Sequence, residues 1–92
     1  MDTSYADLAR LSLLIQRMLD ADAFCEAEGV ALLTRTEAAR RCLEEGDSKT
    51  AHLHIEQVAL CTEALIQTHL LDLADGRAVI ETARRILAEE TR

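Results

Sequence analysis

Apolar positions recur every three or four residues in four stretches of this chain, separated by three short polar breaks. No proline interrupts any stretch. The first predicted helix runs from about Thr3 to Leu19, with the stripe Leu8, Leu11, Ile15, Met18 and Leu19. Thr3 or Ser4 is placed to cap it, and Asp7 follows Ser4 at capping-box spacing. Asp20-Ala21-Asp22-Ala23 breaks the rhythm. The second helix spans about Cys25 to Glu45, with a coiled-coil-like seam of Cys25, Gly29, Leu32, Thr36, Ala39 and Leu43, and Gly46 stops it. Asp47 or Ser48 caps the third, which runs to about Leu70. Asp72 caps the fourth, whose stripe is Gly76, Ile80, Ala83 and Leu87, widened by Val79 and Ile86. Breaks this short join antiparallel neighbours, so the pattern predicts one domain over residues 1–92. Its class is all-α, an antiparallel up-down four-helix bundle with more than roughly 70% helix.

The third helix carries more apolar residues than one bundle face needs. One stripe is Ala51, Ile55, Val58, Thr62, Leu65 and His69; a second, roughly opposite, is Leu53, Leu60, Ala64 and Leu71. Either this helix is central and covered on both sides, or the second stripe is an exposed seam for a partner or a second copy. The seam reading assigns partner contacts to Leu53, Gln57, Leu60, Ala64 and Leu71. Gly29 and Gly76, near the starts of helices 2 and 4, each weaken a helix by about 1 kcal/mol. A close approach of neighbouring helices is the expected reason.

Internal similarity is present at two offsets. Residues 36–45 (TEAARRCLEE) match residues 80–89 (IETARRILAE), whereas Ala27, Gly29 and Ala31 align with Ala74, Gly76 and Ala78 in a different frame.

Composition narrows the function classes. Hydrophobic residues make up 49% of the chain but aromatics only 2%, namely Tyr5 and Phe24, so the core is built from Leu, Ile, Val and Ala. A net charge of −7 disfavours direct nucleic-acid binding, which calls for a basic patch, and disfavours anionic membrane surfaces. No run approaches the ~18 apolar residues of a spanning helix. Three cysteines without a CxxC pair, behind an N-terminus lacking the basic and apolar regions of a signal peptide, lead to the expectation of a reducing, cytoplasmic setting.

Candidate chemistry is sparse. Cys25, Cys42, Cys61, His52, His54 and His69 are the potential metal ligands, and no two stand three or four apart as helical chelation requires. His52 and His54 diverge by about 160° on a helix. Only packing could join a pair such as Cys25 and His69, so a metal-binding bundle is a minor alternative and no cofactor is expected. No Gly-rich phosphate loop, GxSxG or HExxH occurs, and no catalytic residue is assigned. Arg40-Arg41 and Arg84-Arg85 are expected to pair with carboxylates one helical turn away: Arg40 with Glu44, Arg41 with Glu37 or Glu45, Arg85 with Glu81 or Glu89.

The run Leu32 to Leu65 (LLTRTEAARRCLEEGDSKTAHLHIEQVALCTEAL), with its continuation Leu70 to Ile80, resembles the FIMAH domain over roughly residues 8–88. The shared feature is a Leu/Ala rhythm across two helices joined at a glycine, followed by a capped last helix. The bulky apolar pair of that family's third helix would fall at Val58 and Ala59. The resemblance implies a helical module of the kind appended to exported bacterial proteins, without established catalysis and taken to mediate contacts. Pattern and resemblance together lead to the expectation of a non-catalytic protein–protein interaction module, bound to a protein partner or to itself as a homodimer. The alternative is an acidic regulator or decoy that docks onto a basic protein surface, in the manner of a nucleic-acid mimic.

Overall fold

A computed structural model describes residues 3–90, with side chains from Tyr5 to Glu89. The helices are α1 (Thr3–Asp20), α2 (Glu26–Glu44), α3 (Ser48–Gln67) and α4 (Leu73–Glu90). Of the described residues 85% are helical and none is in a strand. The capping expected of Thr3 and Ser4 lies outside the described side chains. Asp47 does cap α3, accepting the backbone N–H of Thr50 at 3.1 Å.

Each helix packs against two neighbours in a closed ring, α1 on α2, α2 on α3, α3 on α4 and α4 on α1, with no diagonal pairing among the described residues. This ring answers the question posed by the third helix. α3 is not central; it occupies one corner of a four-helix bundle measuring 35 × 20 × 19 Å. Its inner stripe (Ala51, Ile55, Val58, Thr62, Leu65) is buried, while Leu53 and Leu60 are 57% and 51% exposed. The other stripes face the core as their spacing requires. Leu8, Leu11, Ile15 and Met18 are buried on α1, Gly29, Leu32, Thr36 and Ala39 on α2, and Val79, Ile80, Ala83 and Ile86 on α4. The ends of the α2 seam loosen: Leu43 is half-buried and Cys25 exposed. The buried threonines satisfy themselves, Thr36 and Thr62 each donating to the carbonyl one turn back, at 2.9 and 2.7 Å.

All three breaks use one device. The helix ends on a left-handed residue, and the amide after it donates to a carbonyl five residues earlier. The left-handed residues are Asp22 (φ 54°), Gly46 (φ 81°) and His69 (φ 61°). The closing bonds are Ala23 N–H to Met18 O at 2.9 Å, Asp47 N–H to Cys42 O at 2.8 Å, and Leu70 N–H to Leu65 O at 2.9 Å. This turn ends α3 at Gln67, ahead of the expected Leu70.

The backbone resolves the two competing offsets in favour of 47 residues. In that frame the last residue of α1, Asp20, falls on the last of α3, Gln67, and the first of α2, Glu26, falls on the first of α4, Leu73. The left-handed Asp22 falls on the left-handed His69. Buried Leu8, Leu11, Ile15, Met18, Phe24, Gly29, Leu32, Thr36 and Ala39 fall on Ile55, Val58, Thr62, Leu65, Leu71, Gly76, Val79, Ala83 and Ile86, all of them buried. The frame that aligns the two Arg-Arg pairs instead sets exposed Arg35 on fully buried Val79. The chain is thus two α-hairpins of equivalent construction, related by a pseudo-twofold axis along the bundle. The two glycines are equivalent joints. A Cβ on Gly29 would stand 2.6 Å from Leu19 Cγ and Phe24 Cε1, and one on Gly76 2.6 Å from Ile66 Cγ1.

Candidate functional site

The crest of α3, the line farthest from the core, is formed by Leu53, Gln57, Leu60 and Ala64, spaced 4, 3 and 4, and all four are exposed. None of the four is charged, and exposed Glu56 flanks the line one turn from both Leu53 and Leu60. Four of the five residues expected to contact a partner therefore share one outer line. Leu71 does not. It is 4% exposed and belongs to the core. The left-handed turn at His69 takes Leu71 off the helical phase and drives it inward against Gly76, where its pseudo-equivalent Phe24 meets Gly29.

The second hairpin supplies an internal comparison. The α1 positions equivalent to Leu53, Gln57, Leu60 and Ala64 are Ala6, Arg10, Leu13 and Arg17. The same backbone line carries two arginines on α1 and none on α3. Beside the crest runs a shallow groove between α2 and α3, lined by Ala31, Thr34, Arg35, Ala38 and His54. The small side chains of α2 leave it open. On the equivalent face between α4 and α1, Ala38 is replaced by Arg85 and His54 by Asp7, and these two reach each other at 3.9 Å. One face is closed by an ion pair, and its counterpart, lined by small residues with Arg35 and His54 at its edges, is open. The α2 half of this surface is not legible from periodicity, because an alanine line on a helix has no signature until its neighbour is known.

Charged side chains concentrate elsewhere. Arg40 bridges Glu37 and Glu44 along α2, at 2.7 and 3.0 Å, as its spacing from Glu44 predicts. The Arg40 guanidinium holds the Glu37 carboxyl below its ordinary value; partial burial opposes this, and the Ser12 hydroxyl, donating from α1 at 3.1 Å, adds to it. Asp47 is likewise held low by its hydrogen bonds with Thr50. Arg84 and Arg85 depart from the expectation of pairs within α4. Arg84 reaches Glu63 on α3 at 2.8 Å, and Arg85 reaches Asp7 on α1 rather than Glu81 or Glu89. Both sit where α4 meets a neighbour, so the nearest carboxylate lies across the helix boundary.

The potential metal ligands are dispersed. All three cysteines are free thiols, Cys25 and Cys61 exposed and Cys42 half-buried. His69 is exposed at the α3–α4 turn. Among the described residues no group of three or more His, Cys, Asp or Glu could hold a metal ion. The two hairpin turns frame shallow, pseudo-equivalent hollows, one over Leu19, Asp22 and Phe24 and the other over Ile66, His69 and Leu71. No helix among the described residues is long and apolar enough to cross a membrane. No protein-family profile, curated protein or solved structure matches this chain.

Proposed function

We propose that this protein is a non-catalytic helical interaction module that binds a protein surface, its own or another's, through the outer crest of α3. The observation that carries this reading is the uncharged, exposed line Leu53, Gln57, Leu60 and Ala64 in a chain of net charge −7, set against the arginine-bearing equivalent line on α1. Leu53 and Leu60, one heptad apart and each about half exposed, are the apolar side chains this crest offers a partner. The electrostatics of Glu37 and Asp47 fit a structural role for these two carboxylates. Glu37 and Asp47 are held in the charged form by local helix bonds, the opposite of the raised pKa that a general acid needs. A protein working in the cytoplasm, without nucleic-acid or membrane contact, completes the reading.

The test is a photo-crosslinking residue placed at position 60 and, as a control, at the equivalent position 13, in the native cell. The expected outcome is a discrete protein adduct from position 60 only. No adduct at 60, or the same products from both positions, overturns the proposal.

A further inference from the structure

We infer that the chain has a second folded form, a dimer in which two copies exchange hairpins. The turn between α2 and α3 straightens into one long helix, and the α1–α2 hairpin of each copy packs on the α3–α4 hairpin of the other. This is independent of the α3 crest reading, because the surfaces that meet are those already paired inside the bundle.

The ring of contacts says what each hairpin accepts. Between the hairpins α2 packs on α3 and α4 on α1, and among the described residues no other pairing joins them. The 47-residue frame carries α2 onto α4 and α3 onto α1, so these two contacts are one contact made twice. An interface of that kind is isologous, and the hairpin of a second copy fits it as the chain's own does. What selects the chain's own hairpin is the covalent tie through the α2–α3 turn.

That turn is free to open. Every residue from Glu44 to Lys49 is exposed. The other two turns are pinned, one by buried Phe24 set against Gly29 and the other by buried Leu71 against Gly76. Straightening keeps the backbone bonds of the hinge. In the turn Gly46 N–H donates to Leu43 O at 3.1 Å and Asp47 N–H to Cys42 O at 2.8 Å. In a continuous helix the same two donors serve the same two acceptors, exchanged. Glu45 and Lys49 then stand four apart on one helix, in the favourable order.

The core register also carries through. Asp47 lies four residues after Leu43 and four before Ala51, so the stripe from Gly29 to Leu65 advances by about 3.6 residues a step, the pitch of a straight helix. The core-facing stripes of α2 and α3 therefore fall on one face of the long helix. Two such helices running antiparallel restore α2 on α3 twice, once in each half of the dimer. Glycine and aspartate are poor helix formers and hold the balance toward the closed monomer. Concentration moves it the other way.

Refolding the full chain from urea at about 1 mM and at about 1 µM, followed by light scattering coupled to size exclusion, tests this. The concentrated sample should yield a dimer fraction with unchanged helical circular dichroism, and the dilute sample monomer alone. Gly46→Ala, which strains the turn and favours the helix, should raise the dimer-to-monomer ratio roughly tenfold or more. Inserting Gly-Ser-Gly after Gly46, which interrupts the long helix, should abolish the dimer. A crosslink between α1 and α4 separates exchange from surface association. Asp7 and Arg85 approach to 3.9 Å. Asp7→Cys with Arg85→Cys, in a chain carrying serine at the native Cys25, Cys42 and Cys61, is bridged with a short bis-maleimide. The dimer fraction should then run as two linked chains on a denaturing gel, and the monomer fraction as one. A dimer fraction that runs as single chains, or one lost in Leu60→Glu, is surface pairing and overturns the exchange; loss in Leu60→Glu at the same time supports the crest. Absence of any dimer from both the wild type and Gly46→Ala overturns the exchange and leaves the crest reading untouched.

Discussion

Three residues in the same left-handed backbone position bear very different side chains, and this makes them a natural stability series. Gly46 adopts φ 81° with nothing within 4 Å of where a Cβ would stand. Gly46→Ala should therefore cost about 1 kcal/mol through backbone strain alone. His69 and Asp22 already bear that strain, at φ 61° and 54°. Asp tolerates the region better than His, so His69→Gly should raise stability by ~0.5–1 kcal/mol and Asp22→Gly by less, allowing for the looser unfolded chain. Denaturant midpoints at constant m-value would rank the three, and a destabilising His69→Gly would contradict the assignment of strain. Gly29 poses a different problem. Alanine is the better helix former by about 1 kcal/mol. Its Cβ would nonetheless drive into Leu19 and the ring of buried Phe24. Overpacking of that kind typically costs ~1–3 kcal/mol, so Gly29→Ala should come out destabilising. Leu32, 3% exposed on the same helix, should lose roughly 2–4 kcal/mol on truncation to Ala; a cost below ~0.5 kcal/mol would be that of a surface residue.

At the level of the element, α3 shows both how far sequence reasoning reaches and where it stops. Its start is legible, because Asp47 is a short acceptor ahead of an apolar rhythm, and it caps Thr50. The carboxyl of Asp47 lies below its ordinary value of 3.8 in the folded chain, through hydrogen bonds with the Thr50 side chain and backbone. A depressed native pKa means that stability from the cap is fully present above the unfolded value and is lost as pH falls through the native one. Asp47→Ala should thus lower the melting temperature at pH 7, and the gap from wild type should close as pH drops below about 4. A gap that persists at pH 2 would show that the carboxylate does not act through its charge. The end of α3 is less legible. Nothing between Gln67 and Leu71 is Gly or Pro, so a left-handed His69 leaves no mark in the pattern. Periodicity carried past the true end makes Leu71 look like crest when it is core. Leu53, Gln57, Leu60 and Ala64 lie before the end, and the pattern places them correctly on the outer face.

The whole molecule is a doubled hairpin that its own sequence conceals. In the 47-residue frame only Thr3/Thr50, Leu13/Leu60, Ala27/Ala74, Gly29/Gly76 and Ala31/Ala78 are identical. The more conspicuous TEAARRCLEE match lies out of frame because good helix formers recur on any helix. What the halves share is burial, helix ends and turn geometry, and those set the bundle. The equivalence makes a demand on chain connectivity. α1 and α4 are packed neighbours, so the start of α1 and the end of α4 lie at the same end of the bundle as the α2–α3 turn. In the repeat frame Glu90 is equivalent to Leu43 and Thr3 to Thr50, a pair separated by six residues. Joining Arg92 to Met1 through an inserted Gly-Asp restores that spacing and copies the Gly46-Asp47 turn. Opening the chain between Gly46 and Asp47, so that Asp47 stays with α3 as its cap, then yields the order α3, α4, α1, α2. This circular permutant should fold to the same bundle in a single cooperative transition, within about 2 kcal/mol of the parent, because the break falls in an exposed turn and each hairpin keeps its internal register. Far-ultraviolet circular dichroism with urea denaturation would decide it. A permutant lacking cooperative unfolding would mean that the two hairpins are not interchangeable at that junction, and that the shared burial pattern is a coincidence of two amphipathic pairs.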